Sequence, residues 1–447
     1  MASSYLTQTV NATATNKNKV TVSAWLKRSA LGAEQTVISG HMTDNNRWKI
    51  RFRNDDKIDA EFGYGGSWYS LITNRLFRDT NSWYHLVYQY DSTQGTASDR
   101  AKLWINGVQE TSFGTANYPP QNYGNYLVEN TANIAVGNFY YQGQFHGSNR
   151  WDGYISHVAV VDGSIVAPTS FGQTDATSGI WKFKSPSGIT WGNNGFHLKF
   201  ENSANLGLDS SGNSNSFATV GNLKQALDTP SNVFATLNPL ATFANITLGN
   251  GNNTYTLNAG TWESTPSTLA LPSSCKYYAE FKWNASSTSA QYMMVGVDSP
   301  QLFSNWSTQY PGYTSVGYAY GWDGDKRNNG SNSSYGAAWG ATSIIGVAID
   351  MDNKKLYFHK DGVYQNSGVP TSGSTGTGAL SLTGDEYYLI VSGYKNTENP
   401  SIHANFGNGY FGTSSIADAG SNASNNGSFE YDVPTGYTAL STKGLNT

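Results

Sequence analysis

WYHLVYQYD (Trp83–Asp91), followed after a polar loop by AKLWINGVQETSF (Ala101–Phe113), is the stretch whose reading decides the fold. An Asn-Gly pair, Asn106-Gly107, interrupts an otherwise strand-like run. Both central residues of a type I′ turn need positive φ, which Asn and Gly tolerate, so the pair predicts a tight antiparallel hairpin. The pattern returns in the C-terminal half: IIGVAID (Ile344–Asp350) turns through Met351 to Lys354 into KLYFHK, closes on Asp361-Gly362 and comes back as VYQNSG. A two-residue loop pairs Ile105 with Val108. Leu103, Ile105 and Val108 then share one face, and Lys102, Trp104 and Gln109 the other. In the second hairpin Leu356 and Phe358 oppose Tyr357, His359 and Tyr364. The aliphatic face is expected to be the buried one.

Outward from these hairpins the same grammar holds. VTVSAWL (Val20–Leu26), WKIRFR (Trp48–Arg53), IDAEFGY, SWYSLIT, NIAVGNF, KYYAEFKWN, YMMVGVD and EYYLIVSGY read as antiparallel strands, and no stretch carries a period of 3.6. A chain of 447 residues exceeds what one compact core usually supports. The expectation is an all-β protein of two antiparallel β-sandwich, jelly-roll domains in tandem. Pro230, Pro239 and a turn-rich stretch over 202–254 put the boundary near residue 230, giving domains 1–229 and 230–447. Ser414 to Ser428 is a Ser/Asn/Gly/Ala tract that reads as a mobile connection, and YDVPTGYTAL is a short tail that docks on its own domain or on a neighbour.

Charged residues make up 13% and aromatics 14%, so the polar surface is built from Asn, Ser, Thr and Tyr. Neutral donors beside flat rings suit uncharged polar ligands such as glycans. A net charge of −4 with no long Lys/Arg run argues against nucleic acid. Cys275 is the only cysteine, which excludes an internal disulfide. The N-terminal stretch has no apolar core of signal-peptide length, and no apolar run reaches membrane-spanning length, so neither secretion by a leader nor membrane insertion is expected.

The strings WYHLVYQYD, KLWINGVQ, IAVGNF and WDGYISHVAVVDG, with HLKFE and LDSSGNSN, resemble concanavalin A-like jelly rolls of the laminin G and pentraxin type over roughly residues 18–205. KYYAEFKW, VGVD, IIGVAIDMDNKKLYFHKDGV, YYLIVSGY and HANFG resemble SPRY domains over 276–411. The pairing of the two, with Asn/Gly-rich turns and a PTGYTAL ending, resembles virion proteins of marine bacteriophages, of tail-fibre or capsid-surface type. That resemblance implies a homo-oligomeric virion component that contacts other virion proteins and host-surface glycan, is made in the host cytoplasm and leaves by lysis. No organic cofactor is implied. Calcium at a loop rim is, with Asp152 and Asp162 as metal ligands and Asp209 and Asn213 in similar turns.

Aromatic residues in Gly/Asn/Asp-rich loops are the candidate ligand contacts: Tyr64, Trp68 and Tyr69 in GYGGSWY, and Tyr320, Trp322 and Asp323 in GYAYGWDGD. A sugar ring stacks on such faces while nearby amides and carboxylates take its hydroxyls. Packing is the competing role for each ring. A glycosidase would need paired carboxylates about 5–10 Å apart, for which Asp59 and Glu61 on one strand face are the nearest candidates. Asp323 and Asp325 begin like a calcium loop, but Arg327 takes the next ligand position. The seven histidines show no zinc-binding spacing. The expected function is therefore non-enzymatic: glycan or receptor binding on a virion, with a purely assembly-related decoration or fibre role as the first alternative and glycan degradation as the second.

Overall fold

The computed structural model describes residues 4–284, 291–300 and 309–446. The chain divides into two compact units, Met1–Gln225 and Ala226–Thr447. Both are built of antiparallel sheets, and the only helical segments among the described residues are short 3-10 turns. None of these is long and apolar enough to cross a membrane, which leaves strand-built membrane barrels unaddressed.

In the N-terminal unit an eight-stranded sheet runs in the spatial order Phe113–Asn117, Ser67–Thr73, Ile58–Tyr64, Asn46–Phe52, Gln35–Thr43, Asn133–Val136, Tyr5–Thr9, Ala218–Val220. A six-stranded sheet runs Phe196–Leu198, Gly153–Asp162, Lys19–Arg28, Tyr84–Asp91, Ala101–Ile105, Val108–Glu110. Alternate side chains of both meet in one core that includes Val20, Val22, Leu26, Trp48, Ile50, Leu86 and Leu103. In the C-terminal unit a sheet with Lys276–Trp283, Ile344–Asp350 and Lys355–Lys360 at its centre faces a second sheet holding Glu263–Pro266, Tyr388–Lys395, Gln291–Asp298 and Tyr318–Gly321. Phe281, Trp283, Val295, Val347, Phe358 and Val391 fill the space between.

Both hairpins form as their turn residues dictate. Ile105 pairs with Val108 and Lys360 with Val363. Asn106, Gly107, Asp361 and Gly362 all have positive φ, between 49° and 83°. Gly107 carries a second constraint, because a Cβ there would lie 2.5 Å from the Trp181 ring. Gly107→Ala should therefore destabilise the N-terminal unit by about 1–2 kcal/mol or more in urea denaturation, with altered Trp181 fluorescence; an unchanged midpoint would refute this account.

The faces differ from expectation in an instructive way. Leu103, Ile105, Leu356 and Phe358 are buried, but so are Tyr357 and His359 on the opposite face. Val108, placed on the aliphatic face by its register, is 69% exposed at the hairpin tip. The reason is a second cover on each unit. Val166, Phe171, Ile189 and Trp191 pack on Val87, Trp104, Ala159 and Val161 outside the six-stranded sheet. Phe429, Val433 and Tyr437 pack on Tyr278, Ala348 and Tyr357 outside the C-terminal sheet.

The tail thus docks on its own unit. Thr438–Ala439 adds a short parallel pairing to Tyr277 and Tyr278. The tract before it is tied down rather than loose: buried Asn426 bonds Asn232, Thr438 and Ser441, and Ser421 donates to Asp432. Asn and Ser rich in local side-chain bonds made this compact turn look like a linker.

Candidate functional site

Successive residues of a strand point to opposite faces, and that parity separates the predicted contacts of the N-terminal unit. Tyr69 pairs with Phe62 on the core side and packs against the core from its half-buried position. Tyr64 lies on the same side, with its ring 4.2 Å from Tyr123 and 5.7 Å from Tyr126. Trp68 points the other way. It is 38% exposed and lies across its cross-strand neighbour Gly63, where a Cβ would meet the indole at 2.1 Å. Only a glycine lets the indole settle against the sheet.

Register then builds the site around Trp68. His41 pairs with Arg47, Arg47 with Gly63, and Gly63 with Trp68, forming one row across four strands on the outer face. The Arg47 guanidinium lies 4.0 Å from the Trp68 ring centroid and 4.2 Å from that of Tyr141, which the short hairpin Tyr140–Tyr141 with Gln144–Phe145 brings over the sheet. Tyr140 packs edge-on against His41 at 5.3 Å. The result is a guanidinium lying against both the Trp68 and Tyr141 rings, with the indole still partly exposed. Arg47 and Tyr141 were not anticipated, because only the strand pairing puts Arg47 opposite Gly63, and only the tertiary fold brings in Tyr141.

The next rows of that face hold the two carboxylates considered for catalysis. Arg51 bonds Asp59 through Nε at 3.0 Å and Nη2 at 2.8 Å, and Glu61 at 3.3 Å. Lys49 reaches Glu61 at 3.5 Å, Ser70 donates to Asp59, and Glu34 also pairs with Arg51. Asp59 is buried. Both carboxylates are thus engaged by arginine, lysine and serine partners of the same face rather than turned free toward a ligand.

In the C-terminal unit the structure removes Tyr320 from the surface: its side chain is fully buried in the core and its hydroxyl donates to the Ala337 carbonyl. Trp322, just past the strand end, does reach the surface. Its ring lies 4.5 Å from Tyr292 and 5.8 Å from Trp262. Trp262 in turn contacts Tyr310 and Tyr394, and Tyr310 contacts Tyr313. None of these six rings is fully buried. Asp323 is exposed and accepts from Arg327, which also lies 3.7 Å from Asp325. The arginine thus stands where a cation would be held. Apart from Trp322, the members of this cluster lie on strands and loops distant in sequence, with no local pattern to announce them.

The residues proposed for calcium have other partners. The Asp162 carboxylate accepts the backbone N–H groups of Thr15, Asn16 and Asn194, stapling three segments. Asp209 likewise accepts from His197, Ser211 and Asn215. Burial pushes the Asp152 carboxyl above its ordinary value, with Arg150 pulling the other way. Among the described residues no group of three or more His, Cys, Asp or Glu side chains gathers as a metal site requires.

Comparison with known proteins fits this geometry. Residues 2–169 match the concanavalin A-like lectin/glucanases superfamily, and residues 276–383 match the SPRY domain. A segment of 68 residues is 38% identical to the ATP-dependent RNA helicase Ddx1 of Drosophila melanogaster, covering 14% of this chain and only 9% of that relative. Among solved structures, the SPRY domain of human HERC1 superposes with a TM-score of 0.30 at 16% identity, covering 38% of this chain and 96% of that one. Domains LG4-5 of the mouse laminin alpha1 chain superpose with a TM-score of 0.30 at 9% identity, covering 87% and 79%. The N-terminal unit is thus similar to concanavalin A-like/laminin G domains and the C-terminal unit to SPRY domains, each over the residues matched.

Proposed function

We propose that this is a non-enzymatic virion surface protein that binds host-surface glycan through Trp68 on the N-terminal unit and the Trp322 cluster on the C-terminal unit. The observation that carries the reading is Trp68: an indole laid on the sheet and 38% exposed, beside further rings and hydrogen-bond donors. A pyranose packed on the exposed part of that indole would set its hydroxyls toward Arg47 and the Tyr141 hydroxyl with little reorganisation. The virion setting is supported by the pairing of the two modules with Asn/Gly-rich turns. Many copies on one particle would raise weak single-site affinity, which fits a homo-oligomer.

A glycan array probed with the full chain tests this. Trp68→Ala and Trp322→Ala should each lower binding to the captured glycans about tenfold, the equivalent of ~1.4 kcal/mol of lost stacking. Undiminished binding by both variants would remove the rings from the recognition surface. The assembly reading is favoured by a different observation: Val108 and Val363, the first residues after the two tight turns, are each 69% exposed. If those tips were subunit contacts, Val108→Ser and Val363→Ser would lower the oligomeric mass in light scattering and leave the array pattern unchanged.

A further inference from the structure

Resting on the glycan-binding reading of Trp68, we infer that the saccharide held there carries a carboxylate, and that Arg47 is the residue that recognises it. Four other arginines of the N-terminal unit have carboxylate partners, while Arg100 is held by three backbone carbonyls and Arg75 lies over Phe77. Arg28 and Arg78 pair with Asp56, Arg51 with Asp59, Glu34 and Glu61, and Arg53 with Asp55. Arg47 pairs with no carboxylate among the described residues. Its one hydrogen bond goes to the Asp44 backbone carbonyl at 3.3 Å, and its buried Nε has no partner.

The two rings explain how such a cation is kept in place. Trp68 and Tyr141 lie about as near the guanidinium as stacking permits, at 4.0 and 4.2 Å, so they take up its faces rather than its edges. Its N–H groups lie in its own plane, and the Nη N–H groups not bonded to Asp44 are left to an acceptor that approaches edge-on, whereas Nε is buried. A carboxylate suits that fork, accepting two parallel N–H bonds, whereas a neutral hydroxyl accepts one and leaves the rest unpaired. A pyranose seated on the exposed part of Trp68 would carry its carboxylate to this edge.

Neighbouring charge sharpens the requirement. Asp44 lies 3.3 Å from His41 at the end of the row, and Glu61 occupies the next row bound to Lys49 and Arg51. A freely diffusing anion gains little from such a mixed field, so binding depends on the ring stacking and the fork acting together. Arg47 is thus a specificity-determining residue: it selects acidic over neutral sugars on a platform both can use.

The test is an array of neutral, uronate-bearing and sialate-bearing glycans probed with the full chain, followed by titration of the strongest acidic binder against its methyl ester, which keeps the ring and removes the charge. The acid should bind at least tenfold more tightly than the ester, and its affinity should fall as salt rises while that of the ester does not. Arg47→Gln should bring acid and ester to the same affinity. Arg47→Lys, which keeps the charge but not the fork, should restore only part of the difference, with near-UV circular dichroism confirming the fold of both. The uronate and sialate arms tell which acid is meant. Equal binding of acid and ester, or acid preference unchanged in both variants, overturns the role of Arg47 while leaving glycan binding intact. Capture of neutral glycans alone, lost in Trp68→Ala, has the same consequence. No capture of any glycan overturns the glycan reading itself and this inference with it.

Discussion

Replacing Glu280 with alanine should lower the stability of the C-terminal unit by about 3–5 kcal/mol, the cost of leaving several buried donors without their acceptor. Glu280 is wholly buried. Its carboxylate accepts the backbone N–H groups of Glu430 and Tyr431, each at 2.8 Å, the Tyr278 hydroxyl at 3.0 Å and the Asn405 amide at 3.4 Å. His359 extends the chain. Its Nδ1 accepts from Gly362 N–H at 3.1 Å, so in the neutral ring Nε2 carries the proton and donates to Tyr278 at 2.6 Å. Alanine would strand two backbone donors and two side-chain donors in a place water does not reach. Because those backbone groups belong to the last segment, the cover formed by Phe429, Val433 and Tyr437 should loosen first. Hydrogen exchange of residues 429–441 is the sharpest readout, since a chain of two units need not unfold in one step. Burial pushes the Glu280 carboxyl up to about 7, with its four donors pulling it back. A raised carboxyl favours the protonated folded state: its contribution is fully present below pH ~4.5 and is lost as pH rises through the folded value. Glu280→Gln should flatten that dependence. Protection of the tail unchanged in Glu280→Ala would show that the network does not hold it.

The hairpins were legible because the information is local: positive φ at Asn106-Gly107 and Asp361-Gly362 is a property of those residues, whatever packs on them. Strand alternation was legible for the same reason. What could not be read was the second layer of burial. Tyr357 and His359 look like a polar strand face, and become core only because residues 429–437, far along the chain, lie over them. Exposure of a ring is likewise decided by where a strand ends. Tyr320 lies inside Tyr318–Gly321 and is buried, whereas Trp322, two residues on, is past the end and reaches the surface. Trp68 and Tyr69 follow the same logic within one strand, since adjacent positions face opposite ways and cannot serve one ligand. Arg47 and Tyr141 needed register and tertiary contact, and no motif marks either.

Acid should open the N-terminal unit, and three histidines give the reason. His85 is buried, stacked on Trp25 at 4.6 Å, and holds two bonds of opposite sense. Trp181 Nε1–H donates to its Nδ1 at 2.9 Å, so Nε2 carries the ring proton and donates to Ser23 Oγ at 2.9 Å. A second proton would have to sit on Nδ1, pointing at the indole N–H. His157 and His197 face each other across 3.4 Å, a separation that accommodates one shared proton and not two positive rings. Burial lowers His85 and His157 to about 3 and His197 to about 4; the His197 ring and Lys199 deepen the effect at His157, and at His197 Lys199 deepens it while Asp209 opposes it. Because the folded values lie below the ordinary one near 6.5, the unfolded state takes up protons first on acidification. The stability these rings contribute is present above pH ~6.5 and is lost as pH falls toward ~4, at up to about 1.4 kcal/mol per pH unit for each ring. Trp181, Phe183 and Trp191 stack on these same rings, so the cover they belong to should part from the sheet before the core yields. The prediction is a fall in protection of residues 165–195 between pH 6 and 4 by hydrogen exchange, preceding any change in strand Tyr84–Asp91. Trp181→Phe, which removes the blocking indole donor, should move that loss to lower pH for the His85 end of the cover. Equal protection at pH 7 and pH 4 would mean that these imidazoles are not the acid-sensitive element.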